Sequence, residues 1–121
     1  IVSNMPRGSS VFSKIVEAEH KGQTKFPFTK GQNQFDFIAY EKFCQQVALT
    51  VMQNEVLGII NCCTGQPQRL GERVEKFIKD NHFNIKLEYG VFPERTYDSK
   101  AIWGNSDKIE KICEAYRAEK V

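Results

Sequence analysis

The run Phe35-Asp-Phe-Ile-Ala-Tyr-Glu-Lys-Phe-Cys-Gln-Gln-Val-Ala-Leu-Thr-Val51, with Leu57-Gly-Ile-Ile-Asn-Cys-Cys63 after it, decides the fold class. Gly31-Gln-Asn-Gln makes a turn, and Phe35-Asp-Phe-Ile38 is a short extended segment. From Tyr40 the apolar period changes. Phe43, Cys44, Val47, Ala48 and Val51 recur at helical spacing opposite Glu41, Lys42, Gln45 and Gln46, which predicts a helix from Tyr40 to about Asn54 with the first set buried. The apolar residues of Leu57–Cys63 do not alternate with charged ones, so this segment reads as a strand buried on both faces, ended by Thr64-Gly65-Gln-Pro67. Strand, helix, strand is an α/β signature.

The same reading extends outward. Ser9 and Ser10 offer an N-cap to a helix carrying Val11, Phe12, Ile15 and Val16, stopped by Gly22. Phe26-Pro-Phe28 is extended, its proline suited to an edge. A third helix, about Leu70 to Asn81, turns Leu70, Val74, Phe77 and Ile78 inward. Phe83, Ile85, Leu87 and Tyr89 alternate with Asn84, Lys86 and Glu88 as a half-exposed strand. Val91 to Asn105 is long and irregular. Ser106 to about Lys120 forms a last helix with Ile109, Ile112, Cys113 and Tyr116 on one face. The expectation is a single α/β domain over residues 1–121, with three to four short strands and about four helices.

Composition narrows the function classes. Seventeen basic and 15 acidic residues leave a net charge of +2, too little for phosphate-driven nucleic-acid binding. Lys25-Phe-Pro-Phe-Thr-Lys30 is too short a motif to reverse that. No apolar run reaches the ~20 residues of a membrane span, and residues 1–7 lack the pattern of a signal peptide, so a cytoplasmic protein is expected. The four cysteines, at 44, 62, 63 and 113, form no C-x-x-C, and neither histidine is near them in sequence. Four free, mostly buried thiols and no metal are expected. The chain begins at Ile1, which fits a piece of a longer protein as well as a processed one.

The Val91–Asn105 stretch carries the candidate chemistry. Loops of this length in a compact domain are usually functional or disordered, and Phe92, Tyr97, Ile102 and Trp103 are too apolar for disorder. Arg95 can grip a phosphate with its forked donors, and Asp98 can accept bonds from vicinal hydroxyls. Spacing alone favours the plainer alternative, an exposed Arg95–Asp98 pair on an anchored loop.

Three short patterns resemble the NAD-dependent epimerase/dehydratase family of extended short-chain dehydrogenases. The family's Arg-x-x-Asp-x-x-x-x-Trp followed by Asp-x-x-Lys is similar to Arg95-Thr-Tyr-Asp98-Ser-Lys-Ala-Ile-Trp103-Gly-Asn-Ser-Asp107-Lys. Its Gly-x-x-x-Arg-Asp-Phe-Ile resembles Gly31-Gln-Asn-Gln-Phe35-Asp36-Phe-Ile38. Its Gly-x-x-Tyr-Asn-x-x-x-Gly-x-Pro resembles Gly58-Ile-Ile-Asn61-Cys-Cys-Thr-Gly65-Gln-Pro67, with Leu70-Gly-Glu72 beyond. They recur in the right order from about Ser9 to Ile112.

The resemblance implies a substrate-binding portion of an NAD(P)-dependent sugar epimerase, dehydratase or reductase. Arg95 and Asp98 would hold the diphosphate and ribose of a nucleotide sugar, and the Phe26–Phe28 piece would line the base. The loop from Asn4 to Ser10, with Arg7 and Ser9, would border the sugar nucleotide. Two departures stand out. Phe35 replaces the arginine that grips phosphate, a loss of about 1.5–3 kcal/mol in a desolvated site unless Lys30 or Arg7 compensates. The eight glycines never cluster, so the Gly-rich turn that takes pyrophosphate is absent. The one Tyr-x-x-x-Lys, Tyr116 to Lys120, sits on the last helix and reads as packing. The chain alone is expected to bind no cofactor. NAD or NADP, a cofactor-binding half and a possible homodimer are expectations for the complete protein. The alternative is a free-standing, non-catalytic binding or interaction domain.

Overall fold

Helix α1 (Val11–His20) follows directly from its residues. The Ser10 hydroxyl accepts from the Ser13 amide at 3.2 Å, satisfying one of the free N–H groups of the first turn. Gly22, at φ +77, lets the amides of Gly22 and Gln23 fold back onto the carbonyls of Glu19 and Ala18, closing the helix. A computed structural model describes residues 1–119. Among them the remaining elements are β1 (Lys25–Pro27), β2 (Gln34–Asp36), α2 (Tyr40–Val51), β3 (Pro67–Arg69), α3 (Leu70–Asp80), β4 (Lys86–Glu88), β5 (Ala101–Ile102) and α4 (Asp107–Glu119). The architecture is α/β, with four helices and five short strands.

The strands form two small sheets. β1 and β4 run parallel, Phe26 opposite Leu87. β2 is the centre of the other sheet, antiparallel to β3 and parallel to β5, so Phe35 lies between Gln68 and Ile102. A single buried cluster joins α1 to α3: Phe12, Ile15, Val16 and Ala18 meet Val74, Phe77 and Ile78, with Val2, Phe28 and Ile85 at its edges. Phe12 stands edge-on to Phe77 at 5.0 Å and to Phe37 at 5.9 Å. Each large side chain buried here stabilises by about 1.5–3 kcal/mol. Glu19 pins α1 to the start of the second parallel strand, its two oxygens accepting from the Asn84 and Ile85 amides at 2.9 and 3.1 Å.

Three expectations are corrected. Leu57–Cys63 is not a strand: Gly58 takes φ +86, which no extended strand tolerates, and no backbone hydrogen bond joins 58–61 to a described strand. Leu57 and Ile59 are 68% and 85% exposed, and only Cys63 of the run is buried. Helix α2 is rotated partway: Phe43 is half-buried and Glu41, Lys42 and Gln45 are exposed as expected, but Cys44, Val47, Ala48 and Val51 are not buried. Gln46 is its buried residue, while Val47 and Val51 lie exposed, because α2 packs on α4 and its amide donates to the Cys63 carbonyl at 3.1 Å. It also stops at Val51, since the Gln53 side chain accepts from the Glu55 and Val56 amides and fixes a turn. Finally, β3 and β5 are strands where the sequence read as a turn and an irregular stretch. Both borrow their order from β2.

The other elements fall where periodicity put them. α3 buries Val74, Phe77 and Ile78, and α4 buries Ile109 and Ile112, with Cys113 and Tyr116 half-buried. Lys120, the second half of the Tyr-x-x-x-Lys match, lies outside the described residues. None of the described helices is long and apolar enough to cross a membrane.

Candidate functional site

The 91–105 stretch is tied at both ends and free between. At its start the Gly90 amide donates to Thr29 O at 3.2 Å and the Phe92 amide to Phe28 O at 3.0 Å, continuing from the β1–β4 pair. At its end Asn33 Nδ2 donates to Ser99 O at 2.8 Å and the Gln34 amide to Lys100 O at 2.8 Å. Residues 93–98 project between these two anchors as a small turn closed on itself. The Asp98 amide donates to Arg95 O at 3.1 Å, and Arg95 Nε meets Asp98 Oδ2 at 3.2 Å. Arg95 Nη1 also donates to the Tyr97 hydroxyl at 3.3 Å, with its guanidinium 5.2 Å from the Tyr97 ring centre. The Tyr97 hydroxyl and the Asp98 carboxylate hold the guanidinium pKa above its ordinary value, so its charge is fixed. Its side chain is 64% exposed, which leaves donors open to an incoming anion.

Asp36, at the end of β2, gathers its own strand, the 64–65 turn and the residues just after β5. Its Oδ1 accepts from the Thr64 amide at 3.0 Å and the Thr64 hydroxyl at 2.6 Å. Its Oδ2 accepts from the Gly65 amide at 2.8 Å and the Gly104 amide at 3.3 Å. Burial on its own pushes this carboxyl up, but the Thr64 hydroxyl and the three amides outweigh it and hold the pKa below 3.8. Burial, and next the Asp36 charge, push the neighbouring Cys63 thiol up. All four cysteines are free, and only Cys63 is buried while Cys44 is exposed, a correction to the expected mostly buried set.

The remaining candidates are spread. Phe35 is half-buried, edge-on to Phe37 at 6.1 Å, and brings no charge to the centre of the sheet. Phe26 is half-buried over the core, whereas Phe28 is buried in it with its ring against Tyr89 at 5.6 Å. Tyr89 donates to Glu75 Oε1 at 2.9 Å; burial first and this bond second push its pKa up to about 12. Arg7 is exposed at φ +69 with its amide on Glu17, and Ser9 is exposed, Ser10 serving as the cap instead. No hydrogen bond or ion pair joins Arg7 or Ser9 to Arg95 among the described residues. Asp36 was missed by the sequence reading, although an acid between two phenylalanines in a short strand was a signal that something polar must meet it.

Among the described residues no group of three or more His, Cys, Asp or Glu is placed to hold a metal ion. The leading amides of α3 are engaged, Leu70 on Asn33 O at 2.8 Å and Gly71 on Gly31 O at 2.9 Å.

No family model matches the chain. No solved structure matches it either. Over 96 residues, 79% of the chain, it is 41% identical to the dTDP-6-deoxy-L-talose 4-dehydrogenase (NAD(+)) of Aggregatibacter actinomycetemcomitans. That match takes in 35% of the dehydrogenase, so the chain spans about a third of the length of the curated relative it matches. At this identity the chain is similar to part of an NAD-dependent nucleotide-sugar dehydrogenase, which supports the resemblance to the NAD-dependent epimerase/dehydratase family read from its motifs.

Proposed function

We propose that this chain is the substrate-recognising portion of an NAD(P)-dependent enzyme that oxidises, reduces or epimerises a nucleoside-diphosphate sugar. The carrying observation is the 41% identity to a dTDP-sugar dehydrogenase. The Arg95–Asp98 turn is the element that meets the diphosphate and ribose, with Phe26 beside the base and Arg7 and Ser9 on the sugar side. Arg95 has its charge fixed and donors exposed, which suits it to an anion. Phe35 supplies no second cation, so Arg95 carries more of the phosphate recognition than a paired arginine would.

The cofactor belongs to the rest of the protein. What supports this is that no Gly-rich turn occurs in the sequence and that the first two amides of α3 are engaged by Asn33 and Gly31. A cofactor-binding remainder is further supported by apolar surface left uncovered here: Val51, Met52, Leu57 and Ile59 are 79%, 75%, 68% and 85% exposed.

The test is a titration and a turnover assay on the full-length protein. dTDP is expected to bind and to compete with a dTDP-hexose, and reduced nicotinamide is expected to form with the sugar nucleotide and not with the free sugar. Absence of any nucleoside-diphosphate binding overturns the reading.

A further inference from the structure

We infer that Asp36 is a positioning residue: its carboxylate fixes where β5 lies along β2, and so where the Arg95–Asp98 turn stands. The functional half of this inference rests on the reading that the turn receives the diphosphate.

β5 has only two residues, both exposed, and pairs with β2 through Gln34–Ala101 and Phe35–Ile102. So short a parallel pair specifies its own register weakly, and a slip of one residue would move Ile102 off the face of Phe35. Side chains of the β2 segment hold it from both ends. Asn33 Nδ2 takes Ser99 O at 2.8 Å before β5, and Asp36 Oδ2 takes the Gly104 amide at 3.3 Å after it. Ser99 directly follows Asp98, so the first clamp sets the foot of the turn and the second keeps the strand from sliding under it.

The Asp36 end is a built site. Backbone amides of Thr64, Gly65 and Gly104 converge on one carboxylate, the kind of cradle that elsewhere binds a free anion. Glycine is needed at two of the three places. A Cβ on Gly104 would lie 2.7 Å from Cys63 Sγ, and one on Gly65, at φ +72, would collide with the Ser106 hydroxyl. The network stands apart from the buried cluster of α1 and α3, none of whose members touches Asp36 by hydrogen bond. Its loss should therefore release the loop without undoing the core.

The experiment compares Asp36→Asn, Thr64→Val and Arg95→Ala in the full-length protein, reading amide hydrogen exchange and dTDP affinity. Asparagine keeps the shape of aspartate but turns an NH2 group toward amide or hydroxyl donors whichever way it is flipped. In Asp36→Asn, exchange at 99–104 should rise about tenfold while α1 and α3 stay protected, and dTDP should bind about fivefold more weakly. Thr64→Val, which removes the hydroxyl's bond to Asp36 together with the one it accepts from the Gln66 amide and leaves the three backbone donors in place, should show the same pattern in smaller size and serves if Asp36→Asn does not fold. Unchanged exchange at 99–104 overturns the inference. So does faster exchange with unchanged dTDP affinity, provided Arg95→Ala weakens binding. If Arg95→Ala leaves affinity untouched, the proposed substrate site is the part that fails, and exchange at 99–104 alone decides whether Asp36 sets the loop.

Discussion

Arg95 divides its guanidinium between its own Asp98 and Tyr97, and that sharing makes its role measurable. As a phosphate ligand, Arg95→Ala should weaken nucleotide-sugar binding about ten- to a hundredfold, with the melting temperature scarcely moved. Arg95→Lys should recover only part of the loss, because an ammonium cannot make the forked contact. A purely structural pair gives the opposite pattern: Arg95→Ala and Asp98→Ala both lower the melting temperature and leave affinity intact. The pair itself was legible, since its spacing alone predicts an ion pair. Asp36 was not, because its donors are one threonine hydroxyl and backbone amides up to 68 positions away, and no spacing in the sequence pairs them with it. Its titration has a definite sign. A folded pKa held below the unfolded value contributes stability fully above about pH 3.9, lost as pH falls through the lowered pKa. Urea unfolding should show the gap between wild type and Asp36→Asn narrowing from pH 5 to pH 3; a constant gap would contradict the hydrogen-bonded carboxylate. Thiol labelling follows exposure at the same scale. Cys44 should react first, and Cys63, buried with its thiol pKa pushed up, only on unfolding.

At the scale of elements, α1 and α3 were readable and α2 was not, and the reason is what each packs against. α1 carries its own cap and stop, and its apolar stripe meets that of α3. In α2 the apolar stripe of Cys44, Val47 and Val51 faces outward, and the inward side is a mixed one, Gln46 buried with Phe43, Leu49 and Thr50 half-buried, in a helix that packs on α4. Periodicity reports that a face is apolar, not which neighbour covers it. Leu57–Cys63 failed for a related cause: a two-faced strand needs strands beside it, and none of the described ones lies alongside. The two-residue β5 has no periodicity to read, and only the position of β2 orders it. If the outward stripe meets the remainder of the enzyme, Val51→Asp and Ile59→Asp should leave this chain's own stability within about 0.5 kcal/mol. In the full-length protein the same changes should lower the melting temperature by several degrees, for about 1–3 kcal/mol of buried charge. Equal, small effects in both would mean the stripe stays in water.

Across the whole molecule, side chains do what long strands do in larger sheets. Glu19 reaches the Ile85 amide and Asp36 reaches the Gly104 amide, each closing a distant piece of chain onto a helix or a three-residue strand. These closures differ in what must precede them. The contact of α1 with α3 is apolar and tolerant of small errors, so it can form while the chain is still loose. The Asp36 cradle requires segments 28 and 68 residues away to arrive in register before all of its bonds are made. Both contacts close long loops, but the cradle returns its energy only once directed bonds are in register, so it forms late. Asp36 should thus have a φ-value near zero: in a chevron plot Asp36→Asn should leave the folding limb in place and raise the unfolding limb. The carboxylate would then act as a brake on opening, governing how long the finished fold persists and not how quickly it is reached.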